Sequence, residues 1–107
     1  KFRDAKEVML EFAEWLKKVN PTNDRIIFCA DNNGFDFAFF NWYALTYLDE
    51  NPFGHTSLNI NSLYKGLTKN MRKNIRHLKE TEHTHNALDD AKGNAEALLK
   101  ILKEINS

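Results

Sequence analysis

Residues 25–30 read Arg-Ile-Ile-Phe-Cys-Ala, with turn formers closing on them from both sides, Asn20-Pro21 before and Asp31-Asn32-Asn33-Gly34 after. A short apolar run rich in β-favouring side chains between such turns predicts a buried strand of a parallel or mixed sheet. A buried strand needs layers over its faces, and the flanking segments are helical in pattern. From Arg3 to Asn20, the residues Ala5, Val8, Met9, Phe12, Trp15, Leu16 and Val19 recur at helical spacing until Asn20-Pro21 stops them. Phe35 to Leu48 is apolar nearly all round, which predicts a helix covered on most sides. Pro52 and Gly54 mark the segment from Asp49 to His55 as a loop, and Ser57 to Ile60 predicts a second short strand. Asn61 or Ser62 is placed to cap a helix toward Asn70, and the basic stretch beyond it is expected to continue helically to about Lys79. Asn86 to Ile105 has the clearest pattern, a stripe of Leu88, Ala91, Ala95, Leu98, Leu102 and Ile105. The order helix, strand, helix, strand, helix, helix predicts α/β layering. Two strands make a small sheet for so many apolar helices, so the pattern, which starts at Lys1 and not at Met, predicts a domain that lacks part of its sheet.

A chain of 107 residues holds one domain with a modest core. Its 42 % apolar and 28 % charged residues exclude the disordered and fibrous classes. No apolar run approaches the ~20 residues that span a bilayer, and Lys1-Phe2-Arg3-Asp4 leads into no signal-peptide core, so a cytoplasmic protein with no membrane partner is expected. The lone Cys29 has no partner at zinc-ribbon spacing and reads as a buried thiol. Fifteen cations cancel fifteen acids, so net charge gives no argument for a polyanionic ligand. The distribution does: Lys65, Lys69, Arg72, Lys73, Arg76 and Lys79 occur without an intervening Asp or Glu, while acids gather in the first helix and at Asp89 and Asp90. Such a segment suits a polyanion led toward bound cations, and a solvated helix face accounts for it equally well.

Asp36 follows the first strand and its turn, at the carboxyl end where open α/β sheets collect ligands. Phe35, Phe37, Phe39 and Phe40 surround it in sequence, and a carboxylate among them needs compensation by a cation or by hydrogen bonds. Metal ligation is one solution, and stabilisation by the first-turn amides of a helix is the other. Asp89 and Asp90 share that second reading. On a helical wheel Asp90 falls roughly 110° from the centre of the Leu88 to Ile105 stripe and Asp89 roughly 150°, so Asp90 is expected to border the buried face and Asp89 to point to water. His85 precedes the helix and, near the ordinary imidazole pKa, is a candidate general base. His83-Thr84-His85 also spells the His-x-His of some zinc hydrolases, but it leads into a helix after a polar run, and a solvated His83 is the better reading.

These residues carry a resemblance. Asn32-Asn33-Gly34-Phe35-Asp36-Phe37-Ala38-Phe39 resembles the second motif, Asn-x-x-Phe-Asp after a strand, of the DEDDh 3′-to-5′ exonucleases, the ribonuclease H-like group that includes ribonuclease T and the proofreading exonuclease subunits. His85-Asn86-Ala87-Leu88-Asp89-Asp90-Ala91 resembles its third, His-x-Ala-x-x-Asp-Ala. Asn51-Pro52-Phe53-Gly54-His55-Thr56, with His83-Thr84-His85-Asn86, is similar to a ribonuclease T-like branch of small exoribonucleases. The resemblance implies an α/β ribonuclease H-like fold with a mixed sheet, here incomplete because the first strands are absent, so that residues 1–107 form the C-terminal portion of a single exonuclease domain. It implies a pair of Mg²⁺ or Mn²⁺ ions that clamp the attacking water and the leaving oxygen of a phosphodiester. Asp36 and Asp90 would then be metal ligands and His85 the acceptor of the water proton. Phe35 would contact the terminal nucleotide by stacking, and His55 and Trp42 are further candidates for lining the cleft. The implied partners are single-stranded 3′ ends, RNA ahead of DNA, with a homodimer as one assembly of the group.

One departure weighs against activity in this chain alone. The group's first motif is Asp-x-Glu, and the sequence contains none. With two of four acids, the chain is expected to bind two metals poorly and to be nearly inactive. Two other classes stay open, a nucleic-acid-binding module resting on Lys65 to Lys79 and an interaction fragment exposing the apolar surface left by missing strands.

Overall fold

Asp4, in extended backbone, starts the first helix α1 (Ala5–Val19), whose opening bond runs from the Val8 N–H to the Asp4 carbonyl at 3.1 Å. In the computed structural model, which describes residues 3–82, 84 and 86–105, there follow strand β1 (Phe28–Ala30), helix α2 (Asn33–Leu48), strand β2 (Ser57–Asn59), helix α3 (Ile60–Thr68), a 3₁₀ turn at Arg76–Leu78 and helix α4 (Ala87–Ile105). The two strands pair in parallel, giving a small α/β protein with a two-stranded sheet and four helices. The chain divides into two compact units, one holding the residues up to Phe28 with Gly34–Ser57, the other Cys29–Asn33 with the residues from Leu58 onward.

The first unit is built on aromatic rings. Phe28 lies 5.3 Å from Phe37, 5.6 Å from Phe40 and 5.4 Å from Phe53 between ring centroids, and Phe12 of α1 lies 5.5 Å from Phe40. All but the tilted Phe28–Phe40 pair are edge-to-face, an arrangement that adds to burial because ring edges are electropositive and faces electronegative. Only one side of α2 takes part. Phe37, Phe40 and Ala44 face inward, whereas Phe35, Phe39, Trp42 and Leu45 are exposed, Phe35 at 69 %. The expectation of a helix covered on most sides is therefore corrected: among the described residues, apolar composition all round gives one packed face and one bare one.

The second unit has an aliphatic core of Ile60, Tyr64, Ile75, Ala97 and Ile101, with Cys29, Leu63, Leu78 and Leu98 packed against it. Cys29 is half-buried there, and burial pushes its thiol pKa up. Helix α3 begins two or three residues earlier than expected because Asn59, not Asn61 or Ser62, is the cap, its side chain accepting the Ser62 N–H at 3.1 Å. Asn61 is used elsewhere, accepting the Ile75 N–H at 2.9 Å. The basic stretch does not continue as a helix to Lys79. Lys69 takes the left-handed conformation (φ 56°) and ends α3, after which Asn70 and Asn74 turn the chain by accepting the Arg72 and Arg76 N–H groups, both at 3.0 Å.

Helix α4 lies in a different register from the one its leucines predict. Its buried residues are Gly93, Ala97 and Ile101, while Leu88, Leu99, Leu102 and Ile105 are between 40 and 65 % exposed. Small residues are buried because neighbours come close: a Cβ on Gly93 would stand 3.2 Å from the Lys79 Cδ, so the lysine stem occupies the space a side chain would need. On the wheel the observed centre is rotated by roughly 130° from the expected one, which moves Asp90 from the border of the buried face to within about 20° of its centre.

Candidate active site

The start of α4 is held by side chains that precede it. Asn86 accepts the Leu88 N–H on its Oδ1 at 2.9 Å, the cap that its position before a helix predicts. The Asn86 carbonyl accepts the Asp90 N–H at 3.0 Å. Asp89 was expected to point to water and is instead half-buried, its Oδ2 accepting the Thr84 hydroxyl at 2.7 Å. Thr84 Oγ1 in turn accepts the Asn86 N–H at 3.3 Å. Asp89 thus pins the segment just before the helix to its first turn. Asp90 is half-buried with its Oδ1 shielded from solvent. One turn later on the same face, Asn94 Oδ1 is shielded as well and has no hydrogen-bond partner among the described residues. His83 and His85 lie outside the described residues.

A second fastening was not legible in the motifs. Glu96 accepts the Glu80 N–H at 2.9 Å and the Thr81 N–H at 2.7 Å on Oε1, and the Thr81 hydroxyl at 2.7 Å on Oε2. Its carboxyl pKa is held below the ordinary glutamate value, chiefly by the backbone and hydroxyl bonds from Thr81. The fold thus favours the ionised form, so the clasp is complete at neutral pH and is lost as pH falls through that lowered pKa. Accordingly, the Glu80 and Thr81 amides should exchange slowly with solvent at neutral pH and lose protection on acidification. In Glu96→Ala they should be unprotected at every pH. Hydrogen exchange followed by NMR reads this directly, and equal protection in the variant would dismiss the clasp.

Asp36 belongs to the first unit, in the first turn of α2, and is exposed. Its phenylalanine neighbours do not desolvate it as expected, because Phe37 and Phe40 turn inward while Phe35 and Phe39 stand in solvent, packed edge-to-face at 4.8 Å. Trp42, 58 % exposed, meets Tyr43 at 5.1 Å. His55, exposed after the left-handed Gly54 (φ 78°), lines an open groove of about 1360 Å³ with Lys17, Asp24, Asp49 and Glu50, of which Trp42 is not a part. His55 and Trp42 are thus not joined in one pocket.

Two carboxylates are the right donors for a hard divalent cation, but among the described residues no three of His, Cys, Asp and Glu are grouped to hold a metal. The described donors therefore do not make up a two-metal cage. The basic residues sort unevenly. Lys79 Nζ lies 3.5 Å from Asp31 Oδ2, and Lys65 Nζ donates to the Lys73 carbonyl at 2.8 Å.

A family model described as an exonuclease, of the ribonuclease T type, matches residues 2–98. The chain belongs to that exonuclease family. Its DEDDh type agrees with the two ordered motifs. The chain is also 32 % identical over 110 residues to the 3′-5′ DNA exonuclease Cap18 of Escherichia coli, an alignment that covers 96 % of this chain and 58 % of that protein. The chain thus spans under two thirds of the length of the curated relative it matches. Among the described residues no helix is long and apolar enough to cross a membrane.

Proposed function

We propose that this chain is the C-terminal portion of a metal-dependent 3′-to-5′ exonuclease with an incomplete ribonuclease H-like fold, the portion that carries the second and third motifs. The observation that carries the reading is the family match across residues 2–98, with Asp90 set in the middle of the buried face of α4. In this reading Asp90 and Asp36 supply carboxylates, and His85 takes the proton of the water that attacks the terminal phosphodiester, releasing a nucleoside monophosphate. A pair of Mg²⁺ or Mn²⁺ ions, completed by a first-motif Asp-x-Glu, would supply charge stabilisation at the phosphoryl group. Phe35, exposed beside Asp36, offers a ring for the terminal base. Location in the cytoplasm and assembly as a homodimer belong to the same proposal.

The substrate proposed is a single-stranded 3′ end. The stretch Asn51 to Thr56 favoured RNA, but the relative Cap18 acts on DNA, so DNA is taken first and RNA second. The test is a 5′-labelled oligonucleotide of each kind, incubated with Mg²⁺ or Mn²⁺ and with the polypeptide that joins this chain to the coding sequence upstream of Lys1. A ladder shortening from the 3′ end is expected, abolished by EDTA, while residues 1–107 alone leave the label intact. An intact oligonucleotide in every reaction would refute the reading.

Asp89→Asn gives a control within the same turn. The amide keeps an oxygen for the Thr84 hydroxyl, so stability should stay within about 0.5 kcal/mol and cleavage close to that of the unaltered protein. Cleavage lost as completely as in Asp90→Asn would show that the two neighbours share the chemistry.

A further inference from the structure

We infer that the turn from Lys69 to Arg76 is a phosphate-binding track, a second nucleic-acid contact separate from the carboxylates. It deepens the exonuclease reading and rests on it only for the kind of polyanion chosen as probe. Of the six cations between Lys65 and Lys79, two are engaged within the fold, Lys65 on the Lys73 carbonyl and Lys79 beside Asp31. The other four, Lys69, Arg72, Lys73 and Arg76, are exposed and make no ion pair among the described residues. Cations that stabilise a fold are normally paired or laid along apolar surface. These four gain nothing visible from the protein that carries them.

The turn is also built to stay in one shape. Lys69 fixes one end in the left-handed region, with its N–H on the Gly66 carbonyl. Asn70 and Asn74 hold the Arg72 and Arg76 amides, and the Lys73 N–H reaches the Asn70 carbonyl at 3.2 Å. At the far end Ile75 is completely buried, its N–H held by Asn61. A charged surface fixed in advance loses less conformational entropy on binding than flexible side chains on a mobile loop. Two of the four cations are arginines, whose planar forks match phosphate oxygens in pairs. Residues 65–79 contain no Phe, Tyr or Trp, and the one ring present, His77, is engaged by the Tyr64 hydroxyl at 3.1 Å. The track therefore suits sugar-phosphate backbone and not bases, and its binding should be indifferent to sequence.

The experiment uses the full chain and reads binding, not hydrolysis, by fluorescence anisotropy of a labelled single-stranded oligonucleotide in EDTA over a range of salt. Lys69→Ala/Arg72→Ala/Lys73→Ala is expected to weaken binding roughly tenfold or more at low salt and to flatten the slope of log affinity against log salt by about 2, at ~0.7 per lost contact. Lys6→Ala/Lys18→Ala/Lys103→Ala, which removes the same charge from the exposed faces of α1 and α4, should change neither. Circular dichroism establishes that both variants fold; if the triple turn variant does not, Arg72→Gln alone should still lower the slope. Equal losses in both triple variants would reduce the effect to net charge and overturn the track. So would a turn variant that keeps oligonucleotide affinity, or one that loses binding only to vesicles containing phosphatidylserine. Because no cleavage is measured, failure here is distinct from failure of the exonuclease reading.

Discussion

His85→Ala is expected to slow release of 3′-terminal nucleotides by about 10²–10⁴-fold, the range that loss of a positioned proton-transfer group produces, and Asp90→Asn, which takes a charged oxygen ligand from the proposed metal pair, by at least as much. The structure makes Asp90→Asn the cleaner experiment. Asp90 stands in the middle of the buried face with one oxygen shielded, and its N–H is bonded to the Asn86 carbonyl whatever the side chain. An amide fills the same volume and keeps that backbone bond, so helix α4 should form as before while the charge is gone. The measurement is single-turnover cleavage with Mg²⁺ or Mn²⁺ in the polypeptide that also carries the upstream sequence, paired with thermal unfolding of each variant. A large rate loss with an unchanged melting temperature is the expected outcome. Unaltered cleavage in both variants would remove the third motif from the mechanism.

The largest effect on stability should come from Ile75→Ala, at about 2–5 kcal/mol. Ile75 is fully buried in the cluster with Ile60, Tyr64, Ala97 and Ile101. It sits in a turn, not a helix, and its side chain packs that turn on the core, while the bonds from its N–H to Asn61 and from the Leu78 N–H to its carbonyl do not depend on the side chain. Marginal stability, typically 5–15 kcal/mol, means that one such truncation removes a sizeable share. Denaturant unfolding should show a lower midpoint with an unchanged slope. Met71, 78 % exposed in the same turn, is the matched comparison, and Met71→Ala should fall within about 0.5 kcal/mol of the unaltered protein. A cost below about 1 kcal/mol for Ile75→Ala would mean that hydrogen bonds, not the Ile75 side chain, hold the turn.

The contrast between Ile75 and the leucines of α4 shows what sequence reading could and could not reach. Motif residues are legible because their chemistry demands a residue type at a fixed spacing, so the two ordered motifs point to the exonuclease family independently of how α4 packs. The register of α4 was not legible, since hydrophobicity ranks Leu88 and Leu102 above Gly93 and Ala97, and only the third dimension brings the Lys79 stem over Gly93. The same limit applies to α2, where Phe35 and Phe37 are alike in sequence and opposite in exposure. Strands β1 and β2 were located but are shorter than their apolar runs, because pairing needs a neighbour as well as propensity. The clasp of Glu96 on Thr81 joins residues fifteen apart, with no local signal.

Lys69 also carries a conformational cost. At a left-handed helix end a glycine is the residue without penalty, and a side chain there costs roughly 1–2 kcal/mol. If the turn binds phosphate as proposed, the charge of Lys69 is carried at the cost of that left-handed backbone, and Lys69→Gly should stabilise the fold while weakening oligonucleotide binding.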